Sequence, residues 1–186
     1  MFNKNLGAGL HLALLEERHA LELFQLIDRN RAHLRQWMPW LDWNTSEEDS
    51  RGFVRRSLER FSSGNGFDAG IWFEGVLAGT IGLHYINHNS RKTEIGYWLG
   101  QEFTGHGIMT KACAAILEHC FDDLKLHRIE LACATENFKS CAIPERLGFT
   151  LEGMARETEW LYDHFVNHKR YGLLEAEWRA ARGMGR

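Results

Sequence analysis

Two glycines at alternate positions, Gly105 and Gly107, stand between an apolar run, Ile95-Gly96-Tyr97-Trp98-Leu99-Gly100, and the start of a helical pattern at Ile108. A strand that passes through such a junction into a helix leaves several backbone N–H groups unshielded. The positive end of the helix dipole adds to them, so Gln101 to Thr110 predicts a seat for phosphate. Neither glycine is followed by lysine, which excludes a P-loop. Thr110 takes the place of the third glycine of a dinucleotide fingerprint, and a hairpin rather than a parallel strand–helix series precedes it. Taken alone, the pair also fits a tight turn with no ligand.

The rest of the chain says what fold carries this junction. Leu10 to Leu15 reads as a strand, and Glu17 to Asn30 as a helix with Ala20, Leu23, Phe24 and Ile27 on one face. An aromatic segment, Leu34 to Trp43, precedes a second helix that Ser46 caps and that runs to about Phe61. Phe67 to Phe73 and Leu77 to Tyr85 flank a turn at Glu74-Gly75, and Thr93 to Leu99 follows as a third strand. Beyond the glycines, Ile108, Ala112, Ala115, Ile116 and Cys120 form one helical stripe. Ile129, Leu131 and Cys133 alternate as in a strand, Asn137 to Leu147 is a short helix stopped by Gly148, and two strands surround Tyr162-Asp163. This order predicts an α+β (mixed α/β) domain spanning residues 1–186, with no linker to divide it. The net charge of −3 excludes a nucleic-acid surface of the usual basic kind. Cys113, Cys120, Cys133 and Cys141 contain no C-x-x-C pair and read as reduced, structural thiols. The opening Met-Phe-Asn-Lys-Asn-Leu lacks a signal-peptide core and no run is long enough to span a bilayer, so a cytoplasmic location away from membranes is expected. Ten histidines show no metal-ligand spacing, and no metal is expected; His164 and His168 lie four apart in a strand.

Four segments keep their order and spacing: Glu94 to Leu99, Gly105 to Thr110, Asn137 to Ser140, and Arg146-Leu147-Gly148-Phe149. Together they resemble the GCN5-related N-acetyltransferase (GNAT) superfamily, and within it the bacterial enzymes that acetylate amino termini of ribosomal proteins. The resemblance covers nearly the whole chain. It implies a twisted, mostly antiparallel sheet, splayed where acetyl-coenzyme A enters, with helices on both faces. It also implies that Phe103, Gly105, His106, Gly107, Ile108, Met109 and Thr110 hold the pyrophosphate, mostly through backbone amides. Trp98 and Leu99 would line the pantetheine arm, with Asn137 bonding it and Ser140 near its sulfur. The chain departs from the family signature at Glu102, where Gln or Arg is usual and where a negative charge would stand close to phosphate.

Acetyl transfer to an amine needs a base for the ammonium, a donor for the developing oxyanion and a hydrogen bond for the departing sulfur. No covalent enzyme intermediate is required, so direct attack in a ternary complex is expected. Ser140, three residues after Asn137 on one helical face, is by family likeness the donor to sulfur; its alternative role is a capping hydroxyl. Glu94 and Glu159 are the candidate bases, Glu94 having the alternative of a surface pair with Lys92 or Arg91. Trp37, Met38, Trp40 and Trp43 lie in the segment that roofs the acceptor cleft in this family, so Trp37 and Trp40, with Tyr97, are expected against the acceptor. Tyr97 and Trp98 are neighbours on one strand, so only one of them can face that cleft. The acceptor reads as an amine, plausibly a protein N-terminus. A small amine (an antibiotic, polyamine or amino acid) and a weakly active coenzyme-A-binding sensor stay open as alternatives. A homo-oligomer is expected, with Glu175 to Arg182 available for the contact.

Overall fold

A computed structural model describes residues 2–183. One eight-stranded sheet runs through it in the order β1-β2-β3-β4-β5-β6-β8-β7. The strands are β1 (Asn3–Asn5), β2 (Leu10–Leu14), β3 (Phe67–Phe73), β4 (Val76–Asn87), β5 (Lys92–Leu99), β6 (Arg128–Ala134), β7 (Thr150–Leu161) and β8 (His164–Leu174). All neighbours are antiparallel except β5 and β6. The helices are α1 (Ala20–Arg29), α2 (Arg31–Leu34), α3 (Glu47–Ser62), α4 (Ile108–Glu118), α5 (Phe138–Arg146) and α6 (Glu175–Ala181). Among the described residues no helix is long and apolar enough to cross a membrane.

The alternation of the strands divides the core in two. Ile81, Leu83, Ile95, Ile129, Leu131 and Cys133 face one way and pack on α4 and α5 through Ile108, Ala112, Ile116 and Cys141. On the other face Leu15, Trp72 and Leu77 pack on α1 and α3 through Leu23, Leu26, Ile27 and Val54. Helices therefore cover both faces. The four cysteines are all buried and free.

Local chemistry explains most boundaries. Ser46 caps α3 by accepting from the Asp49 N–H, and Glu47, Glu48 and Asp49 complement the dipole of its first turn. Asn137 caps α5 by accepting from the Ser140 N–H at 3.2 Å. Three elements lay outside the sequence reading: the three-residue β1, the single turn α2, and α6. The last, within the Glu175 to Arg182 stretch, docks through Trp178, which is buried with its ring centroid 5.1 Å from that of Phe121, and leaves Ala176, Glu177, Ala180 and Ala181 exposed. Burial of a side chain that size contributes roughly 1.5–3 kcal/mol.

One irregularity matters for the site. β5 and β6 pair only at Lys92–Arg128, Thr93–Ile129 and Glu94–Glu130, then part company. Beyond Glu94, among the described residues, the β6-facing edge of β5 has no strand beside it, while β6 stays paired along its whole length with β8 on its other edge.

Candidate active site

The glycine junction lies at the mouth of this gap. Gly100 donates its N–H to Ala78 O at 2.8 Å, and Gln101 donates to Oδ1 of buried Asn30 at 2.8 Å, which fixes where the loop begins. Gly105 and Gly107 both have positive φ, +85° and +72°, and a Cβ on either would meet no atom within 4 Å. Gly107 is the N-cap of α4, and no side chain caps it. Among the described residues the N–H groups from Gly105 to Thr110 donate to no protein acceptor outside their own helix, while Lys111 is the first to bond back, to Gly107 O. Buried or half-buried backbone donors are normally paired. A row of unpaired N–H groups at a helix start, facing open space, suits an anion. His106 is exposed, Ile108 and Met109 anchor the turn in the core, and Phe103 packs between the two halves of the core.

Glu102 does not confront that anion seat uncompensated. Its carboxylate takes a hydrogen bond from Arg29 Nε at 3.1 Å. Partial burial works to raise its pKa, yet hydrogen bonds from its own N–H, from Arg29 and from Asn30 outweigh that and hold it below the usual carboxylate value. The charge that replaces the family's Gln or Arg is thus answered by a cation from α1.

At the deep end of the gap three polar groups meet. Ser140 Oγ lies 3.2 Å from Cys133 Sγ and 3.4 Å from the Tyr97 hydroxyl, which donates to Ser140 O at 3.1 Å. Burial pushes the Tyr97 phenol well above its ordinary value and the Cys133 thiol up to about 12, so both stay protonated and neutral. Among the described residues neither a histidine nor a carboxylate touches Ser140 Oγ, so no base for a nucleophile stands beside it there. Asn137 uses its carbonyl oxygen as the α5 cap and keeps its amide nitrogen for the cleft it lines.

From this point a continuous cleft of about 810 Å³ opens across the α1/α3 face of the sheet. Trp37, Met38, Pro39, Trp40 and Trp43 form its roof, with Trp43 77% exposed at the rim. The roof is tied down at both ends. Arg31 donates to Leu41 O at 3.1 Å, the Tyr162 hydroxyl donates to Met38 O at 2.5 Å, and Arg35 stacks 3.6 Å over the Tyr162 ring. Tyr97 and Trp98, of which only one was expected at the cleft, both line it, from opposite faces of the strand. Tyr97, expected with Trp37 and Trp40, turns towards Ser140 and Cys133 on the opposite sheet face. Trp98, expected beside the cofactor arm, turns to Trp40, ring centroids 6.0 Å apart. Consecutive strand residues point in opposite directions, and the register of β5 with β4 fixes which goes where.

Both candidate bases line the cleft floor. Glu94 is not the surface partner of Lys92, which bonds Glu130 at 3.0 Å instead. Its side chain is 22% exposed, 3.8 Å from an Arg170 guanidinium nitrogen and 3.9 Å from His84 Nδ1. Glu159 lies 3.2 Å from His168 Nε2. His84, His168, Arg170 and the Arg60–Asp68 pair also line the cleft, and sequence reasoning had assigned none of them there. Period-2 alternation, continued along β8, puts His168 and Arg170 on one face together. The His84 ring crosses Gly96 so closely that a Cβ there would meet its Nε2 at 2.0 Å. His164 pairs with Asp163 in the β7–β8 turn and does not join His168.

An anion seat at a βα junction, a sheet parted beside it, and a cleft leading away from the parting make a two-substrate site. Residues 10–150 match the family described as the acetyltransferase (GNAT) domain. The chain is a GNAT acetyltransferase. It is 36% identical over 181 residues to YdaF of Bacillus subtilis (strain 168), covering 96% of this chain and 98% of that protein. It is 33% identical over 166 residues to the ribosomal-protein-serine acetyltransferase of Escherichia coli (strain K12), covering 89% and 93%. A solved structure of RimL, a ribosomal L7/L12 alpha-N-protein acetyltransferase in complex with coenzyme A, superposes with a TM-score of 0.88 at 28% identity, covering 91% of this chain and 96% of that one. As a member of this family the protein is an N-acetyltransferase and takes its acetyl group from acetyl-coenzyme A.

Proposed function

We propose that this GNAT acetyltransferase acetylates the N-terminal amine of a protein, a ribosomal protein in particular, by direct attack with both substrates bound. The observation that carries the reading is the continuity of the cleft. It runs from Ser140 and Tyr97 at the parted strands to the exposed Trp43 at the rim, and its volume of about 810 Å³ supports an acceptor larger than a simple amine. The names of the Escherichia coli relative and of RimL support the acceptor class. All 186 residues then act as one catalytic domain.

In this reading the amides from Gly105 to Thr110 take the pyrophosphate, while Phe103 and His106 flank it. The free edge of β5 at Trp98 and Leu99 pairs with the pantetheine arm as an added strand would, joined by the Asn137 amide. Acetyl-coenzyme A supplies an activated thioester. Ser140 donates a hydrogen bond to the sulfur as it leaves, backed by Tyr97. Trp37 and Trp40 hold the acceptor backbone against the roof, and the acceptor ammonium loses its proton to a base on the cleft floor, where Glu94 and Glu159 stand. The four free thiols suit the reducing cytoplasm, where subcellular fractionation would have to find the protein.

The test is release of free coenzyme A thiol over a panel of ribosomal-protein N-terminal peptides, polyamines, amino acids and aminoglycosides. A kcat/KM for one or more peptides well above that for every small amine is expected. The reverse ranking replaces the acceptor class. Tight acetyl-coenzyme A binding with no turnover would make the protein a sensor.

A further inference from the structure

The two carboxylates on the cleft floor keep different company, and the difference separates their roles. Glu94 has an Arg170 guanidinium nitrogen at 3.8 Å and His84 Nδ1 at 3.9 Å, both beyond hydrogen-bond distance. Glu159 sits beside an imidazole, with Oε2 3.2 Å from His168 Nε2. If Nε2–H donates to Glu159, the lone pair of the ring lies on Nδ1, which has no hydrogen-bond partner among the described residues. The His168 side chain is 14% exposed and lines the cleft.

Two features of the sheet bring this pair to the reaction. His168 faces Ala134 across the β6–β8 ladder, and Arg170 faces Ala132, so His168 stands one strand from the β5–β6 parting with only a methyl group beside it. The β7–β8 ladder pairs Ala155 with His168 and Glu159 with Val166, so β7 advances four residues while β8 advances two. Glu157 takes a φ of +47° in this bulge and donates its N–H to Asn167 Oδ1 at 2.7 Å. In a regular ladder Glu159 would lie opposite His164; the bulge draws it back to the pleat next to His168.

We propose that His168 is the general base of the transfer and that Glu159 is its positioning residue. The inference deepens the acetyl-transfer reading above and rests on it. An imidazole also matches the task better. A carboxylate titrates roughly two units below an imidazole, which in turn lies closer to an α-ammonium near 8. The ammonium passes one proton to His168 Nδ1, directly or through water. The neutral amine attacks the thioester carbonyl, a C–N bond forms and the C–S bond breaks. The sulfur departs with a hydrogen bond from Ser140 and ends as the thiol with the amine's second proton, and His168 returns its proton to solvent. Other charges on the cleft act on this imidazole: Glu159 from β7 and Glu94 from β5 favour its protonation, while Arg170 on β8 and His84 on β4, when charged, oppose it. At the α3 end Arg60 and Asp68 pair with each other, and Arg56 adds one positive charge near the rim.

The test is kcat/KM against pH for the parent, His168→Gln and Glu159→Gln, with acetyl-coenzyme A affinity measured by calorimetry to report folding. The parent should gain activity with rising pH through a limb in the imidazole range. His168→Gln should lose about 10²–10³-fold in kcat together with that limb, at unchanged cofactor affinity. Glu159→Gln should lose less and keep the limb, moved to lower pH because the carboxylate no longer favours the imidazolium. Free imidazole should restore turnover to His168→Gly. A limb that survives in His168→Gln and vanishes in Glu159→Gln makes the carboxylate the base and overturns the proposal. So does a His168→Gly enzyme indifferent to imidazole. A parent that turns over no amine at any pH removes the acetyl-transfer reading itself, an outcome distinct from either.

Discussion

Replacing Gly107 by alanine separates the anion seat from the turn that carries it. Gly107 has φ +72°, a region that costs a residue with a Cβ about 1–2 kcal/mol. The new methyl would meet no protein atom within 4 Å, so no packing strain adds to that cost. For a chain of this length about 1–2 kcal/mol lowers Tm by roughly 2–8 °C. Gly64 is a matched control. It has φ +70°, open surroundings, and a place at the far end of α3, away from the parted strands. Gly64→Ala should therefore lose the same stability for the same reason. The two variants should differ in coenzyme A affinity. At Gly107 the methyl projects into the space that the free N–H groups face, and displacing the pyrophosphate from even one amide should raise Kd by about tenfold or more, or about 1.4 kcal/mol. Thermal denaturation gives the first quantity and isothermal titration with coenzyme A the second. Equal Tm losses with equal affinities in both variants would refute the assignment of phosphate to this loop, however active the enzyme.

Ser140→Ala should lower kcat by about 10²-fold while leaving acetyl-coenzyme A affinity within a few fold, since its hydrogen bond strengthens only as the sulfur departs; steady-state kinetics and calorimetry check both. Glu102→Gln should change coenzyme A Kd by less than about threefold, because an exposed ion pair contributes only about 0–1 kcal/mol and Arg29 already answers the charge; a tenfold gain would mean that the carboxylate does oppose phosphate. Arg60→Ala strands the buried Asp68 carboxylate and should cost about 3–5 kcal/mol at neutral pH. Burial already raises the Asp68 pKa, so the folded state holds that proton more tightly than the unfolded one, and Asp68 favours folding at low pH and less as pH rises through its folded value. Without Arg60 that value climbs further, so the destabilisation measured by urea titration should shrink on moving from pH 7 towards pH 4.

Most of the scaffold was legible because its signals are local. The Ser46 cap with its acidic turn, the Glu74-Gly75 hairpin and the Ile129–Leu131–Cys133 alternation each follow from neighbours in sequence. What escaped depends on distant partners. α2 is one turn long and survives because Leu34 is buried under the aromatic roof. α6 begins with two acidic residues and shows a single large apolar side chain, so only the presence of Phe121 makes Trp178 a core residue. The choice between Tyr97 and Trp98 likewise could not come from β5 alone, since alternation says that they differ and only the register with β4 says how.

The same distinction separates the two halves of the site. The donor half is made of backbone: unpaired amides at a helix start and the free edge of a strand where a parallel ladder stops after three pairs. Such a seat needs glycines at two places and a helix after them, which any reader of the sequence can find. The acceptor half is made of side chains carried by five strands and a loop, and their pairing depends on register. Glu159 meets His168 only because β7 bulges, and Glu94 meets Arg170 only because β8 and β5 flank β6 on either side. A single-residue slip in either ladder would turn these groups to the other face and leave every glycine motif intact. The donor half therefore depends on a contiguous motif, and the acceptor half on the registers of β6, β7 and β8.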